Sequence, residues 1–268
     1  MKCINIYILK MKTLGQGGFG KAKLTIYKGK RAVVKYVNSS GDPRATLATN
    51  ITNRQDAKKE GEIMKLFHSN YIAEIYGIEG HAIYMKYYDQ GSLREIIDKG
   101  EAKKGRYFLA KQICQGVKDI HALNYVHSDL KCSNVLVEKK FSNGNLSLYI
   151  SDFGVAGLKG SWPITCTIGF YPKDFFSKPL CFEDDIFALG KLFIELFARI
   201  EDDEIEYVNY NNFKDIFDVW AFSDNFKEHD RYNKCKELRE LIHRCISEYK
   251  YERPTLETLL NFFEKNWY

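Results

Sequence analysis

The chain has 268 residues, 45% of them hydrophobic, with 40 Lys and Arg against 35 Asp and Glu for a formal charge of +5. That length requires one large domain or two lobes sharing a cleft, and the mild basic excess, spread along the chain, argues against a dedicated nucleic-acid binder. Seven cysteines without a C-x-x-C pair read as free thiols of a reducing, cytoplasmic compartment with no zinc site. No signal peptide is read, and even the most apolar stretch, 186–200, is broken by Lys191, Glu195 and Arg199, which excludes membrane insertion.

Residues 7–14 form a strand candidate that runs into Gly15-Gln16-Gly17-Gly18-Phe19-Gly20. Residues 22–27, a turn at Gly29 and residues 31–37 complete a glycine-rich hairpin and a β-branched strand. By itself G-x-G-x-x-G is as readily a flexible hairpin as a nucleotide loop; a dinucleotide fold needs a helix directly after the glycines, and here a strand follows. Lys35 closes A-V-V-K at a strand end, where a lysine is ordinarily just solvated. Residues 38–53 are polar and contain Gly41-Asp42-Pro43, which predicts a loop. A helix is predicted over 54–67, with Ala57, Glu60, Ile63, Met64 and Phe67 on one face and Glu62 on a stripe with Lys58, Lys59 and Lys65. Glu60 is thus the inward acid, the other reading being an exposed i,i+4 pair that Met64 covers. Strands are predicted at 71–76 and 81–87, then a helix N-capped by Ser92. The methionine and aromatic cluster between them reads, by composition, as core.

A long buried helix is predicted over 106–123. The turn 125–137 reads Y-V-H-S-D-L-K-C-S-N-V-L-V and places an acid (Asp129), a base (Lys131) and an amide (Asn134) between apolar anchors. The alternating run 146–150 leads to a second acid, Asp152, then Phe153 and Gly154. Two aspartates and an asparagine at two strand ends suit Mg²⁺ and a polyphosphate, because the ion takes one or two carboxylates beside phosphate oxygens. The acids 183–185 suit a helix N-terminus. Residues 201–233, first acidic and then aromatic, read as helical packing and solvated loop or as a partner-docking surface. Amphipathic helices over 237–247 and 255–263 finish the chain.

H-x-D-L-K-x-x-N at 127–134 followed by D-F-G at 152–154 resembles the catalytic and metal loops of the eukaryotic protein kinases, and the likeness extends over nearly the whole chain. It implies one α+β, bilobal kinase domain over 1–268: a small β-rich N-lobe with one main helix (1–86), a hinge (86–91) and a larger helical C-lobe (92–268), with an ATP cleft between them. It implies ATP and Mg²⁺ as cofactors, protein substrates as partners, and ATP contacts at Gly15, Gln16, Gly17, Gly18, Phe19, Gly20, Ala22, Ala32, Lys35, Met85 as gatekeeper, Lys86, Tyr87, Tyr88 and Leu136. Lys35, held by Glu60, would grip the α- and β-phosphates, Asn134 and Asp152 the metal. Asp129 would accept the substrate's proton, and Lys131 would neutralise the γ-phosphate.

In the resembled family the histidine at 127 packs against Phe153, with Met64 extending the stack, and Asp185 holds the backbone of the catalytic turn. Thr165 and Thr167 fall in the activation segment, and Thr167 stands where serine/threonine kinases keep a threonine bonded to the catalytic aspartate and lysine. Three departures matter: Ser128 replaces an arginine, Cys166 replaces a glycine, and the A-P-E ending is lost, with Asp174 in the acid's place. The last implies a buried Asp174 to Arg253 ion pair. The likeness implies an active ATP-dependent serine/threonine protein kinase, the alternatives being a pseudokinase that binds ATP or scaffolds, and a kinase-fold enzyme for a small molecule.

Overall fold

The computed structural model describes residues 13–17, 20–37, 47–101, 105–140, 144–198, 205–209, 211–213 and 229–266. They fall in two units, one within Met1–Leu66 and Ala73–Tyr87, the other within Phe67–Ile72 and Tyr88–Tyr268.

The first unit is a five-stranded antiparallel sheet in the order β1-β2-β3-β5-β4: β1 Thr13–Gly17, β2 Gly20–Tyr27, β3 Lys30–Val37, β4 Ile75–Glu79 and β5 Ala82–Lys86. Period-two alternation sorts β3 into two faces. Val33 and Lys35 point with their cross-strand partners Met85 and Ile83, whereas Ala32 and Val34 share the opposite face with Tyr84. On that second face Tyr27 stacks on Tyr84 with ring centroids 4.2 Å apart. Helix α1, Leu47–Leu66, packs on β3, β4 and β5. It approaches closely because Gly61 has no side chain: a Cβ there would lie 2.5 Å from Ile78 Cδ1. The helix begins seven residues before the predicted start, so part of the predicted loop is helical. Strand β4 begins at Ile75; of the predicted strand 71–76, Ile72 belongs to the second unit and makes a single bridge there, to Ile150.

The second unit is mainly helical. Its helices are α2 Leu93–Asp98, α3 Arg106–Ala122, α4 Phe182–Ala198, α5 His229–Cys245 and α6 Leu256–Lys265. Ser92 caps α2 in a capping box, its hydroxyl accepting from the Glu95 N–H while the Glu95 carboxylate takes the Ser92 N–H. Helix α4 is buried nearly all round, as expected for an element at the centre of a core. Two short antiparallel pairs flank the polar turns: β6 Tyr125–Val126 with β9 Gly157–Leu158, and β7 Val135–Lys139 with β8 Leu146–Ile150. Among the described residues no helix is long and apolar enough to cross a membrane. Residues 201–233 lie largely outside the described residues; within them Lys191 of α4 donates to the carbonyls of Ile205 (3.0 Å) and Val208.

Candidate active site

In the first unit the α1 face read from helical spacing meets the lysine of β3. Lys35 Nζ donates to Glu60 Oε1 at 2.8 Å, and Glu60 is 2% exposed, so the carboxylate is desolvated and the pair is held in place by packing as well as charge. Ala22 is the cross-strand partner of Lys35, and Gly15, Gln16 and Gly17 pair with Ala22, Lys21 and Gly20. Gly18 and Phe19 lie outside the described residues. Met85 is buried on β5 opposite Val33, and the Lys86 N–H donates to Glu74 O at 2.9 Å. Tyr87 receives the Arg31 guanidinium over its ring at 4.3 Å.

Ala32 requires a correction. Three positions from Lys35, it must point to the opposite face of β3, and it is buried with Val34 on the face that carries Tyr27 and Tyr84. Val33, two positions from Lys35 and paired with Leu24 and Met85, is the residue on the lysine's face. Counting by two from Lys35 along A-V-V-K would have found it.

In the second unit α4 sets the polar turn from below. Asp185, wholly buried, accepts from the His127 N–H (2.9 Å) and the Ser128 N–H (3.2 Å), and its Oδ2 lies 2.9 Å from His121 Nε2. Ten residues on, Glu195 accepts from the Cys132 N–H at 3.0 Å. The turn is therefore gripped at both ends by carboxylates of one helix. His127 Nδ1 accepts from the Asp129 N–H at 3.2 Å, which leaves its Nε2–H to donate to Ser151 O at 3.0 Å. Both ring nitrogens thereby have a partner within the turn and its neighbouring strand. The imidazole packs on Phe153 at 4.8 Å, and Phe67 completes that stack at 5.1 Å.

Above this base the polar side chains converge. Asn134 Nδ2 donates to Asp129 Oδ2 at 2.7 Å and to Asp129 O at 2.8 Å, which leaves its amide oxygen as an acceptor. Asn134 O accepts from both the N–H and the hydroxyl of Ser151, at 2.9 and 2.8 Å, so Asp152 is one residue from a direct tie to Asn134. Asp152 adopts a left-handed backbone, φ 65°, at the end of β8. Thr167 Oγ1 donates to Asp129 Oδ1 at 2.5 Å and accepts from Lys131 Nζ at 2.5 Å, and Lys131 Nζ lies 3.2 Å from Asp129 Oδ2.

The family model described as the protein kinase domain matches residues 8–263. The chain belongs to the protein kinase family. Its β-rich first unit and helical second unit are the α+β composition of that family, and protein kinase domains generally use ATP and Mg²⁺. The side chains present fit such a group. Asn134 and Asp152 offer only oxygen to a cation, as Mg²⁺ prefers.

Where this kinase departs from its relatives' pattern, the structure is specific. Ser128 is wholly buried at φ 64°, and its hydroxyl has no hydrogen-bond partner among the described residues. Cys166 is half-buried near Asp129 and Lys131, and burial, reinforced by the Asp129 carboxylate, pushes its thiol up to about 11. The expected Asp174 to Arg253 pair does not form. Asp174 is 54% exposed and lies 3.8 Å from Lys178, whereas Arg253 faces Asp184. An aspartate at 174 is one methylene shorter than the usual glutamate, and its carboxylate stays at the surface. Leu136, on β7, pairs with Tyr149 and bridges Ser92, while Tyr88 packs on Tyr149 at 4.5 Å. Thr165 is half-buried in the same segment as Thr167.

Proposed function

We propose that this protein is an ATP- and Mg²⁺-dependent serine/threonine protein kinase that transfers the γ-phosphate of ATP to hydroxyl groups of protein substrates. The observation that carries the reading is the chain of hydrogen bonds from Lys131 through Thr167 to Asp129. A hydroxyl donor already sits on Asp129 Oδ1, the kind of group a serine or threonine substrate presents. The Asp129 carboxylate, oriented by Asn134, would accept that proton, and the Lys131 ammonium beside it would offset charge gathering on the γ-phosphoryl oxygens. Lys35, fixed by Glu60, would take the α- and β-phosphates. Asn134 and Asp152 would hold the magnesium, which when bound neutralises phosphate charge.

Ser128 supports a second part of the reading. A buried serine cannot receive a phosphorylated loop residue as an arginine would, so activity does not depend on activation-loop phosphorylation through this pocket, although Ser161, Thr165 and Thr167 are available. The free thiols of Cys114, Cys132, Cys166, Cys181 and Cys245 support a reducing, cytoplasmic setting. Residues 201–233 are offered as a surface for a protein partner.

The test is transfer of labelled γ-phosphate from Mg-ATP to a generic basic protein by the wild type beside Asp129→Asn, followed by phosphoamino-acid analysis. Phosphoserine or phosphothreonine from the wild type, reduced at least about a hundredfold in the variant, is the expected result. Binding of nucleotide without transfer by either protein would replace the enzyme with an ATP-binding module.

A further inference from the structure

The arginine that lost its expected partner is held by another carboxylate. Asp184, wholly buried in the first turn of α4, has Oδ1 3.8 Å from Arg253 Nη1, and the same oxygen accepts from Lys178 Nζ. Its Oδ2 accepts from the Cys181 N–H at 3.0 Å and from the Cys181 thiol at 3.3 Å. Arg253 is itself fixed by the carbonyls of Glu183 (2.8 Å), Ser247 (2.9 Å) and Glu248 (3.4 Å), and lies over the Phe187 ring at 5.1 Å. Two stretches therefore meet on one carboxylate: the link that leads from the end of the activation segment into α4, through Lys178 and Cys181, and the turn before α6, through Arg253.

The arrangement has a clear physical logic. A carboxylate in the first turn of a helix is favoured by the helix dipole, and one buried between two cations leaves them uncompensated when it is removed. Asp174 has neither property, being 54% exposed. We propose that Asp184 is the positioning residue that anchors the C-terminal end of the activation segment, the task having moved from position 174 to the start of α4. Its effect on phosphate transfer rests on the function proposed above; its effect on the segment's order does not.

The test uses the full chain carrying Asp184→Asn, Asp174→Asn or Lys178→Met. Limited proteolysis is followed by mass spectrometry over residues 158–180, beside melting temperature and steady-state transfer. Asp184→Asn is expected to speed cleavage in that stretch by about tenfold or more. It should also raise KM for the protein substrate while KM for ATP stays near the wild-type value. Asp174→Asn should stay within about twofold of wild type in every readout, as an exposed ion pair predicts. Lys178→Met leaves Asp184 with Arg253 and removes only the segment's arm, so it should also speed cleavage even if Asp184→Asn fails to fold. Equal effects of Asp174→Asn and Asp184→Asn, or wild-type cleavage in the Lys178→Met protein, would overturn the assignment. Cleavage needs no catalysis, so a protein that transfers no phosphate would refute the function while leaving the anchor to be judged on proteolysis.

Discussion

Cys166 shows how a single side chain can be kept unreactive beside a buried carboxylate. A thiolate there would add a second negative charge next to Asp129, but burial and that carboxylate hold the thiol protonated, at about 11. At pH 8 its thiolate fraction is roughly a hundredth of that of an ordinary thiol. The rate of iodoacetamide modification at Cys166, followed by mass spectrometry, should therefore still be rising above pH 10. A rate that levels off by pH 9.5 would contradict the assigned environment. The same scale shows where residue identity alone misleads. Asp174 and Asp184 are chemically identical in the sequence, and only the path of the chain decides that one meets Lys178 from the surface while the other, buried, meets both Lys178 and Arg253.

Among the elements, α4 is the one on which the second unit depends. It carries Asp185 and Glu195 beneath the polar turn, Asp184 at its start, and Gly190 against α5. A Cβ on Gly190 would lie 2.6 Å from Cys245 Cβ and 2.8 Å from Ile246 Cγ2, atoms so near the backbone that the helices must part. Gly190→Ala gains up to about 1 kcal/mol of helix propensity, yet overpacking costs about 1–3 kcal/mol, so a net loss near 1–2 kcal/mol is expected in urea unfolding. Elements with a strong local signal were legible in advance: β8 from its alternation, α3 from its apolar period, α2 from Ser92. The start of α1 was not. Polar residues and the Gly41-Asp42-Pro43 breaker hid a first turn whose helicity is not written in an apolar stripe.

At the scale of the whole chain, the grouping of Asp129, Lys131 and Asn134 was readable because short spacing forces it, and so was Glu60, because one helical face admits only one acid. Ala32 was misplaced by matching a motif without counting strand parity, and the partner of Arg253 because tertiary routing has no local signature. One feature of the fold bears on how the protein comes apart. The His127 and Ser128 amides belong to a loop, where protons ordinarily exchange with solvent in brief local fluctuations. Here both are donated to the buried carboxylate of Asp185. Their protection is thus tied to the opening of α4, and in deuterium they should exchange as slowly as the amides of that helix rather than with the surface turns. The polar turn would then belong to the most persistent cooperative part of the second unit and dissolve only when that part does, so mild denaturation would disorder peripheral segments before it disturbed Asp129 and its supports.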